Sequence, residues 1–164
     1  HRIPLIGTGH NRYQLLDVED LCQAFTRLIT TRNDALAADV YNVGSVNFWT
    51  VREDVGALCA HAGTGSQVLT LPARPLITAL KVFEKLHLSP LYEWVYGTAH
   101  TDSFVDVNKI REALGWEPQF SNADALIRSY DWYMDHKDGI GGQTGVTHRV
   151  AWDQGILKLF KTFL

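Results

Sequence analysis

The spacing of apolar positions divides the chain into short strands and amphipathic helices. Short apolar runs bounded by glycine or proline are typical of buried strands and occur at residues 3–6, 40–43 and 67–71. Apolar residues three or four positions apart predict helices over residues 18–31, 51–62, 75–86, 108–114 and 122–136. Strands therefore alternate with helices, which predicts an α/β fold that is helix-rich and has a few short strands.

Capping residues mark the ends of several of these helices. Asp17 can accept hydrogen bonds from the free amides of the first turn that follows it. Thr50 and Glu53 have the spacing of a capping box, in which each side chain bonds the backbone amide of the other residue. Gly63 and Gly115 are expected to end helices, because glycine adopts the left-handed conformation without a Cβ clash.

Composition limits the class of protein and its partners. With 164 residues, of which 46% are hydrophobic, the chain is long enough for one domain with its own core. The net charge of −3 argues against nucleic acid as a partner. No run of apolar residues is long enough to span a bilayer and no signal peptide opens the chain, which predicts a cytoplasmic protein.

The two cysteines and the first residue provide two further expectations. Cys22 and Cys59 lie in apolar helical stretches, which predicts two buried thiols and no disulfide framework. The chain begins at His1 and enters a predicted strand almost at once. This abrupt start favours a fragment of a longer protein.

Four stretches occur in an order that is specific to one family. In chain order they are G-T-G at residues 7–9 with Y-Q-L-L-D-V-E-D-L at 13–21, V-Y-N-V-G-S at 40–45, F-V-D-V-N-K at 104–109 leading into L-G-W-E-P at 114–118, and A-L-I at 125–127 followed by Y-x-W-Y at 130–133. Together they resemble the end of an extended short-chain dehydrogenase/reductase, the group that includes NAD-dependent sugar-nucleotide epimerases and dehydratases.

The resemblance implies a domain organisation and a set of partners. Residues 1–138 would form the C-terminal substrate-binding part of an extended Rossmann-type fold, residues 139–151 a glycine-rich linker, and residues 152–164 an amphipathic C-terminal helix. The complete protein would be an oxidoreductase or isomerase that uses NAD or NADP, acts on a small molecule of the nucleotide-sugar kind and forms a homo-oligomer. Its N-terminal Rossmann half would lie outside this chain.

The family's catalytic and cofactor motifs are not found here in the context they require. Gly139, Gly142 and Gly145 match the spacing of the glycine-rich dinucleotide turn, but they follow a helix and not a strand. Tyr133 and Lys137 match the Tyr-x-x-x-Lys pattern, but Tyr133 is expected on the core face of a late helix. No catalytic residue, metal ligand or bound cofactor is therefore expected in this chain by itself.

The predicted function is therefore substrate binding. In relatives that act on nucleotide sugars, an arginine seven residues before the V-x-D-L aspartate contacts the diphosphate. Counted from Asp20, that position holds Tyr13, and Arg12 stands one residue earlier. We expect Arg12, Tyr13, Gln14 and Tyr96 to line the substrate cleft. The replacement of arginine by tyrosine departs from the family pattern, since tyrosine does not bind phosphate as a guanidinium does.

Two other classes of function remain open at this stage. The chain could be a non-catalytic binding or interaction module that reuses this part of the fold. The apolar positions Ile156, Leu159, Phe160 and Phe163 could also hold a peripheral protein on a membrane surface.

Overall fold

The computed structural model describes residues 1–88 and 93–139. In chain order, the elements within these ranges are β1 Arg2–Ile6, α1 Val18–Thr30, α2 Asp34–Ala37, α3 Val51–Ala62, β2 Gln67–Leu71, α4 Ala73–Lys85, α5 Glu93–Tyr96, α6 Asn108–Leu114 and α7 Asn122–His136. The helix-rich α/β composition predicted from the sequence is confirmed. The predicted linker after Gly139 and the segment 152–164 lie outside the described residues.

Strands β1 and β2 form a parallel pair, and helices α1 to α3 lie between them in the chain. The register aligns Arg2 with Gln67 and Ile6 with Leu71. Directly after β1, the Gly7 backbone N–H donates to the Leu71 carbonyl at 2.7 Å in a separate bridge. The chain leaves β1 in a loop at the carboxyl end of this pair, which is where α/β proteins usually bind ligands.

The predicted caps form as the sequence indicates. The Asp17 carboxylate accepts a bond of 2.8 Å from the Glu19 backbone N–H at the start of α1. Thr50 and Glu53 form the capping box of α3, and Gly63 ends that helix at a φ of 63°. These interactions are local in sequence, and for that reason the sequence pattern was sufficient to predict them.

The main core lies where α1 meets α6 and the turn that follows it. Ala24, Val107, Ile110 and Trp116 are buried together. Trp116 is 0% exposed, and its indole Nε1 donates to the Asp20 carbonyl at 3.0 Å. The largest side chain of the core is therefore both packed and satisfied in its single polar group.

Asp20 joins two distant parts of the chain through its buried carboxylate. Its side chain accepts hydrogen bonds from the backbone N–H groups of Gln119 at 2.8 Å and of Phe120 at 3.1 Å. The residue itself is 1% exposed. Asp20 therefore fixes the start of α1 against the chain that leads into α7, and the two sequence motifs at 18–21 and 114–118 form one structural unit.

The predicted strand at residues 40–43 is wrong for the described structure. The segment is assigned to no strand, and Val40 is 81% exposed. Tyr41 and Val43 pack against the main core from one side, and the Asn42 side chain donates to the Asp106 carbonyl at 3.4 Å. A strand requires a partner, and β1 and β2 pair with each other and not with this segment.

Two predictions of burial are also wrong, although Cys59 is buried as expected. Cys22 is exposed, and so is Phe25 at 54%, because this side of α1 faces away from the core that Ala24 enters. Tyr133 is 52% exposed near the end of α7. In both helices, some of the regularly spaced apolar side chains are therefore not covered by other described residues.

Removing the charge of Asp20 should destabilise the fold strongly. In Asp20→Asn, the NH2 of the side-chain amide would face a backbone N–H that then has no acceptor, so we expect a loss of about 2–3 kcal/mol in the free energy of unfolding. Urea unfolding measures this loss. Asp135→Asn on the exposed last turn of α7 is the control and should change stability by less than about 0.5 kcal/mol. Equal effects of the two substitutions would contradict the role of Asp20.

Candidate substrate-binding site

Two loops meet at the carboxyl end of β1 and form the rim of the candidate site. The first follows β1 at residues 7–13, and the second covers residues 97–105. The Asn11 side-chain amide joins them by donating to the carbonyls of Ala99 at 3.2 Å and of Thr101 at 3.0 Å. Tyr13 and Ser103 then pair as an isolated parallel bridge. Hydrogen bonds to backbone groups therefore hold the two loops of the rim together.

Arg12 has a fixed backbone and an available guanidinium. Its N–H donates to the Asp102 carboxylate at 2.8 Å, and its carbonyl accepts from the Ser103 N–H at 2.8 Å. The guanidinium lies over the Phe104 ring, 4.7 Å from the ring centroid. Among the described residues it makes no ion pair, so its charge is held in place at the rim without an anionic partner.

Tyr13 lies next to Arg12 and borders a cavity of about 290 Å³. The residue is 41% exposed. The cavity is mostly apolar, and its wall consists of Tyr13, Leu15, Val51, Asp54, Val55, Ala99, Asn122 and Leu126. The predicted residue Tyr13 therefore lines a space that can hold a small group.

The Gln14 side-chain amide bonds the backbone of two other segments of the chain. Its Nε2 donates to the Ser45 carbonyl at 2.7 Å, and its Oε1 accepts from the Val105 N–H at 2.8 Å. A Cβ at Gly44 would lie 2.5 Å from Cδ of Gln14, so a larger residue there would displace the Gln14 amide. Gln14 thus braces the segment that presents Arg12 and Tyr13.

Tyr96 is buried and lines a second cavity. The residue is 1% exposed, and its hydroxyl donates to the Glu84 carboxylate at 2.5 Å. Burial and the neighbouring Glu84 raise the pKa of Tyr96 to about 12, so the phenol keeps its proton at neutral pH. The second cavity has about 260 Å³ and shares Val51 and Ala99 with the first.

Asn122 is a site residue that was not found in the sequence. It is 1% exposed, and its Nδ2 donates to the Tyr13 carbonyl at 2.7 Å and to the Asp54 carboxylate at 2.9 Å. Its Oδ1 accepts from the Leu15 N–H at 2.8 Å. Asn122 therefore sets the backbone on both sides of Gln14. Its partners lie 68 or more positions away in the chain, so no local sequence pattern could have identified it.

Asp54 is the second such residue, and its carboxylate is only partly satisfied. It is 3% exposed, and Oδ2 accepts from Asn122 whereas Oδ1 makes no hydrogen bond of 3.5 Å or less. Burial raises the pKa of Asp54 above its ordinary value of 3.8, against the opposing effects of the Asn122 amide and the Trp49 backbone N–H. Asp54 is therefore the least compensated polar group on the cavity wall.

Neither a membrane span nor a metal site is found among the described residues. No helix within residues 1–88 and 93–139 has the length and apolar character needed to cross a bilayer. In the same ranges, no three His, Cys, Asp or Glu side chains are grouped so that they could hold a metal ion.

Several known structures have a similar fold. An epimerase from Methanothermobacter thermautotrophicus superimposes with a TM-score of 0.61 at 20% identity, over 84% of this chain and 34% of that one. UDP-glucuronic acid 4-epimerase from Bacillus cereus, solved with UDP-glucuronic acid and NAD, gives a TM-score of 0.58 at 15% identity, over 82% of this chain and 35% of that one. The chain thus has the α/β fold of part of a Rossmann-type epimerase or dehydratase.

Proteins with similar sequences include a dehydratase that acts on a sugar nucleotide by its name. An uncharacterized protein of Sinorhizobium fredii is 32% identical over 160 residues, and dTDP-glucose 4,6-dehydratase of Streptomyces niveus is 28% identical over 137 residues. These alignments cover 96% and 83% of this chain, but the chain spans only 39% and 33% of the respective relatives. No protein-family model matches the chain. The predicted resemblance to the NAD-dependent epimerase/dehydratase group of extended short-chain dehydrogenases/reductases is confirmed.

The raised pKa of Asp54 predicts a specific dependence of stability on pH. The folded protein binds this proton more tightly than the unfolded chain, so the contribution to stability is present below pH 3.8 and is lost as the pH rises through the folded pKa. Asp54→Asn removes this dependence. Urea unfolding of both proteins should therefore show that the free energy of unfolding of Asp54→Asn rises relative to that of the wild type as the pH is raised above 3.8.

Glu53 provides the control for this pH series. Its carboxylate is exposed, and the hydrogen bonds from Thr50 lower its pKa, so Glu53→Gln should show the opposite trend with pH. A constant difference between Asp54→Asn and the wild type over the pH range would contradict the assignment to Asp54.

Proposed function

We infer that this chain is the substrate-binding part of an NAD(P)-dependent enzyme resembling sugar-nucleotide epimerases and dehydratases, and that it is not catalytic by itself. The observation that supports this most directly is the position of Arg12. Arg12 is exposed, its guanidinium lies over the Phe104 ring without an ion pair among the described residues, and it directly precedes Tyr13, which lines the first cavity. A diphosphate suits such a group, because a guanidinium can donate two parallel bonds to phosphate oxygens.

The other three predicted residues, Tyr13, Gln14 and Tyr96, have different roles in the proposed site. Tyr13 and Tyr96 line the two cavities, where a sugar ring or a base could be enclosed. Gln14 acts indirectly by bracing the loop, since both ends of its amide are bound to backbone groups. Arg12 and Tyr13 together take the place of the arginine that nucleotide-sugar relatives have at the start of this segment.

An uncovered apolar surface supports the proposal that a second part of the protein packs here. Val18, Cys22, Phe25 and Ile29 are all exposed on α1 and are spaced four, three and four residues apart, so they form one stripe along the helix. Val40, in the segment that has no strand partner, is exposed as well. A Rossmann half with a parallel sheet could bury the stripe and pair with residues 40–43.

That second part would also supply the chemistry. Hydride transfer needs a nicotinamide site and an acid–base group, and the one Tyr-x-x-x-Lys match in this chain places Tyr133 exposed near the end of α7. Solved neighbours include enzymes in complex with NAD and with NADPH. The complete protein would thus hold NAD or NADP in its other part, act in the cytoplasm and assemble as a homo-oligomer.

Substitution of Arg12 should weaken binding of a nucleotide sugar. Loss of a charge-assisted contact to diphosphate costs about 1.5–3 kcal/mol, which is at least a tenfold loss of affinity for dTDP-glucose or UDP-glucose in Arg12→Gln. Isothermal titration calorimetry measures this change. Arg32→Gln, just beyond the end of α1, is the matched control and should bind as the wild type does. Equal affinity of Arg12→Gln and wild type, or no binding by the wild type, would contradict the proposed role of Arg12.

The uncovered stripe on α1 predicts that the isolated chain associates with itself. Exposed apolar surface of this extent is normally buried in a contact, so light scattering should detect dimers or larger species. Phe25→Glu should shift the protein towards monomer, because it places a charge in the centre of the stripe. Val82→Glu, at an exposed apolar position on α4, should leave the association unchanged. A stable monomer of the wild-type chain would count against a missing partner on α1.

A further inference from the structure

We propose that the two adjoining cavities bind an uncharged hydrocarbon group, and that the substrate of the complete enzyme carries such a group. The cavities have volumes of about 290 Å³ and about 260 Å³, and Val51 and Ala99 belong to the walls of both. Their assignment to a substrate rests on the function proposed above. Their preference for hydrocarbon does not, because it follows from the walls themselves.

The walls of both cavities are mainly apolar. Six of the eight residues that line each cavity are Ala, Val, Leu, Ile, Pro or Tyr. Helix α3 contributes Val51 and Val55, and strand β1 contributes Leu5 and Ile6 to the second cavity. An apolar cavity of about 150 Å³ accepts benzene, so each of these has room for a substituted ring. Burial of such a ring is favourable because it removes apolar surface from water.

The polar side chains in the wall of the first cavity are engaged within the protein. The Asn122 amide donates to the Tyr13 carbonyl at 2.7 Å and to the Asp54 carboxylate at 2.9 Å. Its oxygen accepts from the Leu15 N–H at 2.8 Å. The Asp54 carboxylate has a second donor in the Trp49 backbone N–H. These two buried side chains therefore have little hydrogen-bonding capacity left for a ligand.

The polar side chains in the wall of the second cavity are also engaged. The hydroxyl of the buried Tyr96 donates to the Glu84 carboxylate at 2.5 Å. The Asn11 amide uses both of its N–H bonds, one on the Ala99 carbonyl and one on the Thr101 carbonyl. Neither group has a hydrogen to donate to a ligand, since each has given its donors to another part of the chain.

The start of α3 provides no free donor for an anion. The first N–H groups of a helix lack partners within the helix and often bind phosphate or carboxylate. Here the N–H groups of Val51 and Arg52 donate to carbonyls of the loop at residues 7–13, each at 2.9 Å. The next two N–H groups donate to the Thr50 carbonyl, each at 3.0 Å. The part of α3 that borders the cavities is therefore unsuited to an anionic group.

Of the groups that a substrate can place in these cavities, a sugar ring suits the walls least. Each hydroxyl that enters loses its bonds to water, and this loss is costly unless the protein replaces them. The exposed Tyr13 phenol can meet one hydroxyl but not the several of a sugar ring. A hydrocarbon group has no such bonds to lose. If Arg12 binds a diphosphate as proposed, the substrate is amphipathic, with an apolar group and an anionic group.

Three ring compounds of different polarity test this preference directly. Toluene, benzoate and inositol are titrated at neutral pH into the isotope-labelled chain, and backbone amide shifts are followed by NMR. We expect toluene to cause saturable shifts at Val51, Val55 and Ala99. Benzoate has a carboxylate in place of the methyl group and should bind at least about tenfold more weakly. Inositol, a ring with a hydroxyl on every carbon, should cause no shifts at these positions.

A substitution that fills the shared wall should weaken toluene binding. Ala99→Leu adds three carbon atoms to a residue that lines both cavities, so we expect an affinity lower by about tenfold or more. Ala60→Leu, the same substitution at an exposed position of α3, is the matched control and should bind toluene as the wild type does. Urea unfolding verifies that each variant is folded.

A second variant changes the polarity of the wall and keeps its shape. Val51→Thr replaces one methyl group by a hydroxyl, so toluene should bind about threefold or more weakly than to the wild type. If Ala99→Leu does not fold, the comparison of Val51→Thr with the wild type decides the test.

The outcomes distinguish this proposal from the proposed function. Arg12→Gln should bind toluene as the wild type does even where it loses dTDP-glucose, so either assignment can fail while the other stands. The hydrocarbon site is overturned if toluene shifts none of these amides, or if benzoate or inositol binds as tightly as toluene. It is also overturned if Ala99→Leu is folded and binds toluene as the wild type does.

Discussion

The buried carboxylate of Asp20 is the constraint on which the rest of the structure depends. Two backbone amides near the start of α7 bind it, and the indole of Trp116 binds its carbonyl. A buried charge is costly unless several donors satisfy it, so the chain at residues 116–120 has little freedom of position. Arg128 of α7 adds a partly buried ion pair with Asp17 at the cap of α1, which helps to hold the two helices together.

This constraint reaches the candidate site through α7. Because residue 120 is fixed by Asp20, Asn122 enters the interior at a defined place and bonds the backbone on both sides of Gln14. Gln14 in turn holds Val105, so the loop with Arg12 and the loop with Phe104 are fixed relative to each other. The binding groups are thus arranged by a chain of buried polar contacts before any ligand arrives, which lowers the cost of binding.

The sequence was informative where structure is local and less so where it depends on distant partners. The caps at Asp17 and Thr50 and the glycine ends of the helices follow from neighbouring residues alone. Arg12 and Tyr13 were found through the family pattern, and in the structure Tyr13 lines the first cavity with Arg12 directly before it in the same loop. The pairing of Asp54 with Asn122 joins residues 68 positions apart, so no local pattern announces it. Residues 40–43 have the composition of a strand, but pairing needs a neighbouring strand that the described residues do not provide.

The sequence of the coding DNA immediately upstream of the His1 codon tests the central claim most directly. If this chain is the substrate-binding part of a nicotinamide enzyme, that DNA encodes, in the same reading frame, a strand followed by G-x-x-G-x-x-G and then a Tyr-x-x-x-Lys pair. A start codon directly before His1, or an upstream region without these motifs, would contradict the claim and would favour a binding module without chemistry.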